Sequence, residues 1–126
     1  MTPDPKPKRT SKAKRKREEF ARKYGSKARV QWMSERECVG CGKFPHEDEP
    51  TQSSHIYSGG TGFKEDYTKT VPHCMNCNQN VTRFRRTDLE RHAARTQARW
   101  LANCAANGLD PETGERLTND SRRPLR

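Results

Sequence analysis

A small α+β domain pinned by a metal is what this sequence predicts, and three observations carry the prediction. The chain has 126 residues, of which 29% are hydrophobic and 33% charged, against a typical apolar share of about 45–50%. So short and polar a chain buries little surface, and a structural metal is one of the usual supplements to such a core. Second, two Cys-x-x-Cys pairs, Cys38/Cys41 and Cys74/Cys77, stand 32 residues apart. Third, a stretch of strand-forming residues between the pairs gives way after Cys77 to one long helical pattern.

The elements follow in order. Residues 1–10 hold three prolines and few apolar groups, so they are expected to be disordered. Residues 1–19 as a whole read as a disordered basic arm preceding a zinc-bound domain at 20–108. The run from Ser11 can still turn helical, with Ser11 as N-cap and Gly25 as the stop. Its large apolar side chains, Phe20 and Tyr24, lie four apart on one face. Val30, Trp32 and Met33 then supply part of the core. The glycines of Cys38-Val39-Gly40-Cys41-Gly42 allow a knuckle that aims two thiolates at one point.

Residues 43–53 are acidic and turn-like. SSHIYSGGTGFKEDYTKTVPHC reads as a short strand, a Gly-rich loop and a second strand, with Tyr57, Phe63, Tyr67 and Val71 as its β-formers. From about Val81 to Asn107 the apolar residues Phe84, Leu89, Ala93, Trp100, Leu101 and Cys104 recur at steps near three and four. They form one stripe that ends at Gly108. Residues 109–126 read as a flexible polar tail.

Each Cys-x-x-Cys pair offers two sulfur ligands from one tight turn, and two pairs complete the tetrahedral set that zinc prefers. A redox pair would need no second pair. Four thiolates leave no open position on the metal, so the zinc is expected to be structural. Cys104, the odd cysteine, falls on the helical stripe and reads as a core residue.

The net charge of +10 is unevenly spread. Residues 1–29 carry twelve Lys/Arg against three acids, residues 30–81 four against seven, and residues 82–126 ten against six. Two basic ends around an acidic middle point to nucleic acid as a partner, although charge can also serve solubility alone. Lys14, Arg15, Lys16 and Arg17 at one end, with Arg83, Arg85 and Arg86 at the other, are the candidate phosphate contacts. No apolar run approaches the roughly 20 residues that cross a bilayer. No apolar stretch follows the basic N-terminal residues either. The expectation is a cytoplasmic protein with no membrane partner and no small-molecule substrate.

If zinc only holds the fold, chemistry is to be sought among His46, His55, Asp66, His73, Asn76, Asn78 and Asn80. Here the residues become specific. A Cys-x-x-Cys pair, Ser54-His55-Ile56, a Gly-rich loop with Lys64 and Asp66, then Val71-Pro72-His73-Cys74-Met75-Asn76-Cys77 resembles the phage and prophage HNH endonucleases. It is similar in particular to the branch that includes the phage recombination-enhancement nucleases. FARKYGSKARVQWMSERECVGCG and TDLERHAARTQARW extend the likeness over roughly residues 20–100.

The resemblance implies a ββα-metal (His-Me finger) core pinned by the four-cysteine zinc, with flanking helices, in a phage- or prophage-encoded protein of a bacterial cytoplasm. It implies a metal-dependent endonuclease that cuts DNA. His55 would be the general base and a Mg2+ or Mn2+ ion the electrostatic partner, suited to such work by the pKa of imidazole and the hardness of the cation. Asn78 stands where members often carry histidine, and an amide oxygen is an acceptable ligand for a hard cation. Asp66 would orient the site or approach the metal, and His73 is a further candidate ligand.

Two departures weigh against cleavage. Ser54 occupies a position where many members carry Asp, and the further downstream histidine is missing from NQNVTRFRR. A DNA-binding module of the same fold that has lost cleavage is therefore the alternative, and a generic zinc-ribbon regulator a third. Taken alone, His55 could be a hydrogen-bonded structural histidine. Gly59, Gly60 and Gly62 could admit a substrate backbone or simply make a turn.

Overall fold

The computed structural model describes residues 11–57 and 66–117. The first helix, α1 (Lys12–Tyr24), starts where Ser11 Oγ accepts the Lys14 N–H at 3.0 Å and stops at Gly25, whose N–H returns to the Ala21 carbonyl. Ordered helix thus begins eight residues before the boundary expected at 20. Within the arm expected at 1–19, only residues 1–10 lie outside the description. A second helix follows at once, α2 (Lys27–Ser34), capped by Ser26 Oγ on the Arg29 N–H. Sequence patterning did not call for it, because its buried residues are Arg29, Trp32 and Met33, and an arginine is not counted as an apolar position.

Two strands, β1 (Gln52–His55) and β2 (Thr70–His73), pair antiparallel in the register Gln52↔His73, Ser53↔Pro72, Ser54↔Val71 and His55↔Thr70. Cross-strand partners share a face, and successive residues alternate. Ser53, His55, Thr70 and Pro72 therefore face one way, and Gln52, Ser54, Val71 and His73 the other. The first face receives Tyr24 and Arg29 from the N-terminal helices. On the second, Val71 packs with Leu89 and Ala93.

After β2 a five-residue helix, α3 (Met75–Gln79), carries the second cysteine pair. A single 3₁₀ turn, Val81–Arg83, separates it from α4 (Arg86–Asn107). The long helix therefore starts later than the stripe suggested, and Phe84 lies in the extended link before it. Leu89, Ala93, Trp100 and Cys104 are buried as the periodicity required. Leu101 is not: it is 44% exposed, since a residue next to Trp100 is turned about 100° away around a helix of 3.6 residues per turn.

The core is in two parts. Trp32, Met33, Trp100 and Cys104 form one, with the two indole rings 5.5 Å apart at 54°. Ile56, Val71, Leu89 and Ala93 form the other. The described part of the expected flexible tail is folded. Leu109 pairs with Arg116, Leu109 packs on the first cluster, and the Trp100 indole N–H donates to the Pro111 carbonyl at 2.9 Å. The Leu109 side chain and the Pro111 backbone carbonyl tie it down. Gly59, Gly60, Gly62, Phe63 and Lys64 lie outside the described residues. Among the described residues, no helix is long and apolar enough to cross a membrane.

Candidate functional site

The cysteine pairs do converge. The sulfurs of Cys38, Cys41, Cys74 and Cys77 all lie within 4.8 Å of one another, with Cys41 and Cys74 at 3.7 Å, and none is in a disulfide. Four sulfurs each about 2.3 Å from a common centre stand about 3.8 Å apart in a tetrahedron. The cluster could hold a metal ion such as zinc on that geometry.

The first pair is shaped by a tight turn in which Gly42 N–H returns to the Cys38 carbonyl at 2.8 Å and Gly40 N–H points at Cys38 Sγ at 3.3 Å. Gly40 has no room for a side chain. A Cβ there would sit 2.9 Å from Cys77 Sγ and 2.8 Å from Phe84 Cζ. The Val39 N–H then ties the knuckle to the Pro72 carbonyl of β2 at 2.9 Å.

Burial opposes ionisation of Cys38, yet the backbone N–H groups of Cys74, Cys41 and Gly40, with the Cys77 thiol, outweigh it and draw the group down to about 7. Burial first, and then the three neighbouring sulfurs, push Cys77 upward. Sulfurs this close ionise as a coupled set, so the steps belong to the cluster and not to any one cysteine.

His55 closes β1, half-buried. Its ring nitrogen Nε2 lies 2.7 Å from the Lys23 carbonyl oxygen. A carbonyl only accepts, so Nε2 is the nitrogen that donates. The Tyr24 ring lies 5.0 Å from the imidazole at 55°, and Phe20 lies 5.4 Å from Tyr24. Two consecutive residues at the end of α1 thus fix the histidine, one by backbone and one by ring.

Beneath it, Arg29 is fully buried and donates to Thr70 Oγ1 at 2.8 Å and to Gln97 Oε1 at 2.9 Å. Thr70 is the residue paired with His55. Desolvation lowers the Arg29 guanidinium to about 10, opposed by the rings and charges of Tyr67, Cys104 and Asp66. It remains a cation at neutral pH. These supports were not legible: neither a carbonyl nor a buried arginine has a sequence signature.

The remaining candidates are not gathered around His55. His73 is fully buried, stacked on Phe84 at 5.3 Å, and both its ring nitrogens lack a hydrogen-bond partner. The strand register turns it to the opposite face from His55, so one cation cannot serve both. Burial, with a smaller contribution from His92, lowers it to about 4 and leaves it neutral. The Asp66 carboxylate caps the 3₁₀ turn Tyr67–Lys69, accepting from the Thr68 N–H at 2.9 Å and the Thr68 hydroxyl at 2.6 Å.

Asn78 Nδ2 donates to Gln52 Oε1 at 2.6 Å, which leaves Asn78 Oδ1 as its acceptor. Gln52 and His55 are three residues apart, about 10 Å along a strand. A hard dication generally takes one or two carboxylates from the protein. The cavity that Asn78 lines has none among its described wall residues. The residues therefore fit a Mg2+ or Mn2+ ion only in part.

Lys14, Arg15, Lys16 and Arg17 are exposed on α1. Arg83, Arg85 and Arg86 are exposed at the entry to α4, with the Arg86 guanidinium 5.2 Å from the Tyr57 ring centre. His46 is exposed and His92 half-buried. No family model matches the chain, and neither the curated proteins nor the solved structures give a match.

Proposed function

We propose that this chain is an HNH-type endonuclease that hydrolyses DNA phosphodiester bonds, held together by structural zinc on Cys38, Cys41, Cys74 and Cys77. One observation carries the reading: the Lys23 carbonyl accepts from His55 Nε2 and fixes the ring at the end of β1. A general base needs a fixed ring, and a backbone acceptor supplies that without adding charge. In this role His55 takes a proton from water as the water attacks phosphorus, while the P–O bond to one sugar oxygen breaks and that oxygen takes a proton from solvent. The cationic side chains of α1 and of Arg83, Arg85 and Arg86 hold flanking phosphates. A Mg2+ or Mn2+ ion, when bound, would neutralise charge on the phosphate, with Asn78 Oδ1 the protein oxygen offered to it.

A specific observation favours the second reading, a DNA-binding module without cleavage. Asp66 is committed to a cap and His73 to the core, so the described residues around Asn78 offer a cation no carboxylate. Supercoiled plasmid incubated with the zinc-loaded protein in Mg2+, Mn2+ or EDTA, beside His55→Ala, decides between the two. Metal-dependent nicking that drops by about 10²-fold or more in His55→Ala, within the range for loss of a general base, is the outcome expected of the nuclease. Intact plasmid that both proteins retard equally on a gel would reject it in favour of the binding module.

A further inference from the structure

Beside the candidate site lies a cavity of about 380 Å³, walled by Phe20, Tyr24, Pro50, Gln52, Ser53 and Asn78 among others. We propose that this cavity takes a single unpaired nucleobase, so that the substrate is DNA with a single-stranded segment. The proposal rests on the nuclease reading above and names its substrate class.

The walls differ in chemistry in the way a base requires. One side is aromatic, with Phe20 and Tyr24 a turn apart on α1, and any base stacks on such rings through its π-face. Residues with polar side chains also line it, namely Ser34, Thr51, Gln52, Ser53 and Asn78, with Gln52 and Asn78 hydrogen-bonded to each other. Amides and a hydroxyl are the groups that read a base's hydrogen-bonding edge.

The volume falls within the range of small-molecule sites, about 300–1,000 Å³. Charge selects the occupant. Helix α1 carries seven Lys/Arg against two Glu, which matches a strand of phosphates running along the helix and repels a basic peptide. A protein partner would have to cover a far larger patch, on the order of 800 Å².

Position links the cavity to the chemistry. Tyr24 lines it and also stacks on His55, while Asn78 lines it from α3. A base seated against Tyr24 therefore leaves its own sugar–phosphate near the histidine. Duplex DNA would have to unstack and unpair a nucleotide to fill the cavity, at a cost of a few kcal/mol. Single strands bear no such cost.

The test is binding of a short oligonucleotide carrying one 2-aminopurine, single-stranded or in a duplex, to the zinc-loaded chain in EDTA-free buffer without Mg2+ or Mn2+. Wild type is compared with Phe20→Leu/Tyr24→Leu, which keeps apolar bulk and removes the π-faces. The expected result is quenching of 2-aminopurine in the single strand and a loss of single-strand affinity of about tenfold or more in the variant, as for lost base–aromatic stacking. Duplex affinity should be unchanged.

Equal single-strand affinity in the two proteins overturns the proposal, and so does an equal loss on duplex. Failure to bind either form would also remove the nuclease reading. Duplex binding with an inert variant removes this proposal alone. If the variant does not fold, wild type is photocrosslinked to a strand bearing 5-iododeoxyuridine: adducts at Phe20 or Tyr24 support the cavity, and adducts confined to other residues overturn it.

Discussion

Replacing Arg29 by Met tests whether the buried guanidinium holds the hairpin or burdens it. Two hydrogen bonds from a charged donor, to Thr70 and Gln97, contribute roughly 1.5–3 kcal/mol each. Against them, the fall from 12.5 to about 10 corresponds to roughly 3 kcal/mol of resistance to burying the charge. Arg29 Nε has no partner, which adds to the cost. The balance leaves about 1–2 kcal/mol in favour of arginine. Met keeps most of the volume, so Arg29→Met should lower stability by about that amount. Arg29→Ala should cost about 3 kcal/mol or more, because it also opens a cavity.

The assay is guanidinium unfolding at saturating zinc, followed by the fluorescence of Trp32 and Trp100, which pack together in the core. Adding Thr70→Val completes a double-mutant cycle. The Arg29–Thr70 coupling should be about 1–2 kcal/mol, within the range for contacting polar pairs. A coupling below about 0.5 kcal/mol, or an Arg29→Met protein more stable than wild type, would refute the view that these bonds outweigh burial.

The metal should be part of the folding free energy. The protein should bind one equivalent of zinc and lose its near-ultraviolet circular dichroism when a chelator removes it, and Cys74→Ser should behave as the stripped protein does. A structural zinc of this class supplies an apparent binding energy of about 10–16 kcal/mol in small domains. Gly40→Ala drives a methyl to 2.9 Å from Cys77 Sγ and should weaken zinc by about tenfold or more, read by competition with a chromophoric chelator. Gly114 has φ +72, and a Cβ there would lie 2.3 Å from the Ala28 methyl. Gly114→Ala should therefore cost about 2–3 kcal/mol in thermal or denaturant unfolding, and Ala28→Gly should restore part of it.

Local chemistry was legible wherever it acts through spacing. The two Cys-x-x-Cys pairs announced a four-sulfur cluster, Ser11, Gly25 and Gly108 marked helix ends, and Ser54-His55 and Val71-Pro72-His73 fell in the two strands. What escaped depends on partners distant in sequence. Helix α2 buries Arg29 against Thr70, 41 residues on, and Gln97, 68 residues on, and no periodicity in its own eight residues shows that. The face of His73 is set by a strand register, and a one-residue slip would have turned it toward His55. Leu109 and Pro111 sit among turn residues, yet they are held by α4 through Trp100 and its cluster.

The two halves of the candidate site are joined by the metal cluster more than by direct contact. Asn78 follows Cys77 without a spacer, so whatever fixes that thiolate also fixes the amide that grips Gln52 at the start of β1. The other end of β1 is held independently, by the Lys23 carbonyl on His55 and by Arg29 on its partner Thr70. A four-residue strand clamped at both ends has little freedom to move His55 relative to Asn78, although no bond links them. A helix–strand clamp of this kind keeps the imidazole in one orientation whether or not a cation is present. A fixed ring is what the proposed general base requires.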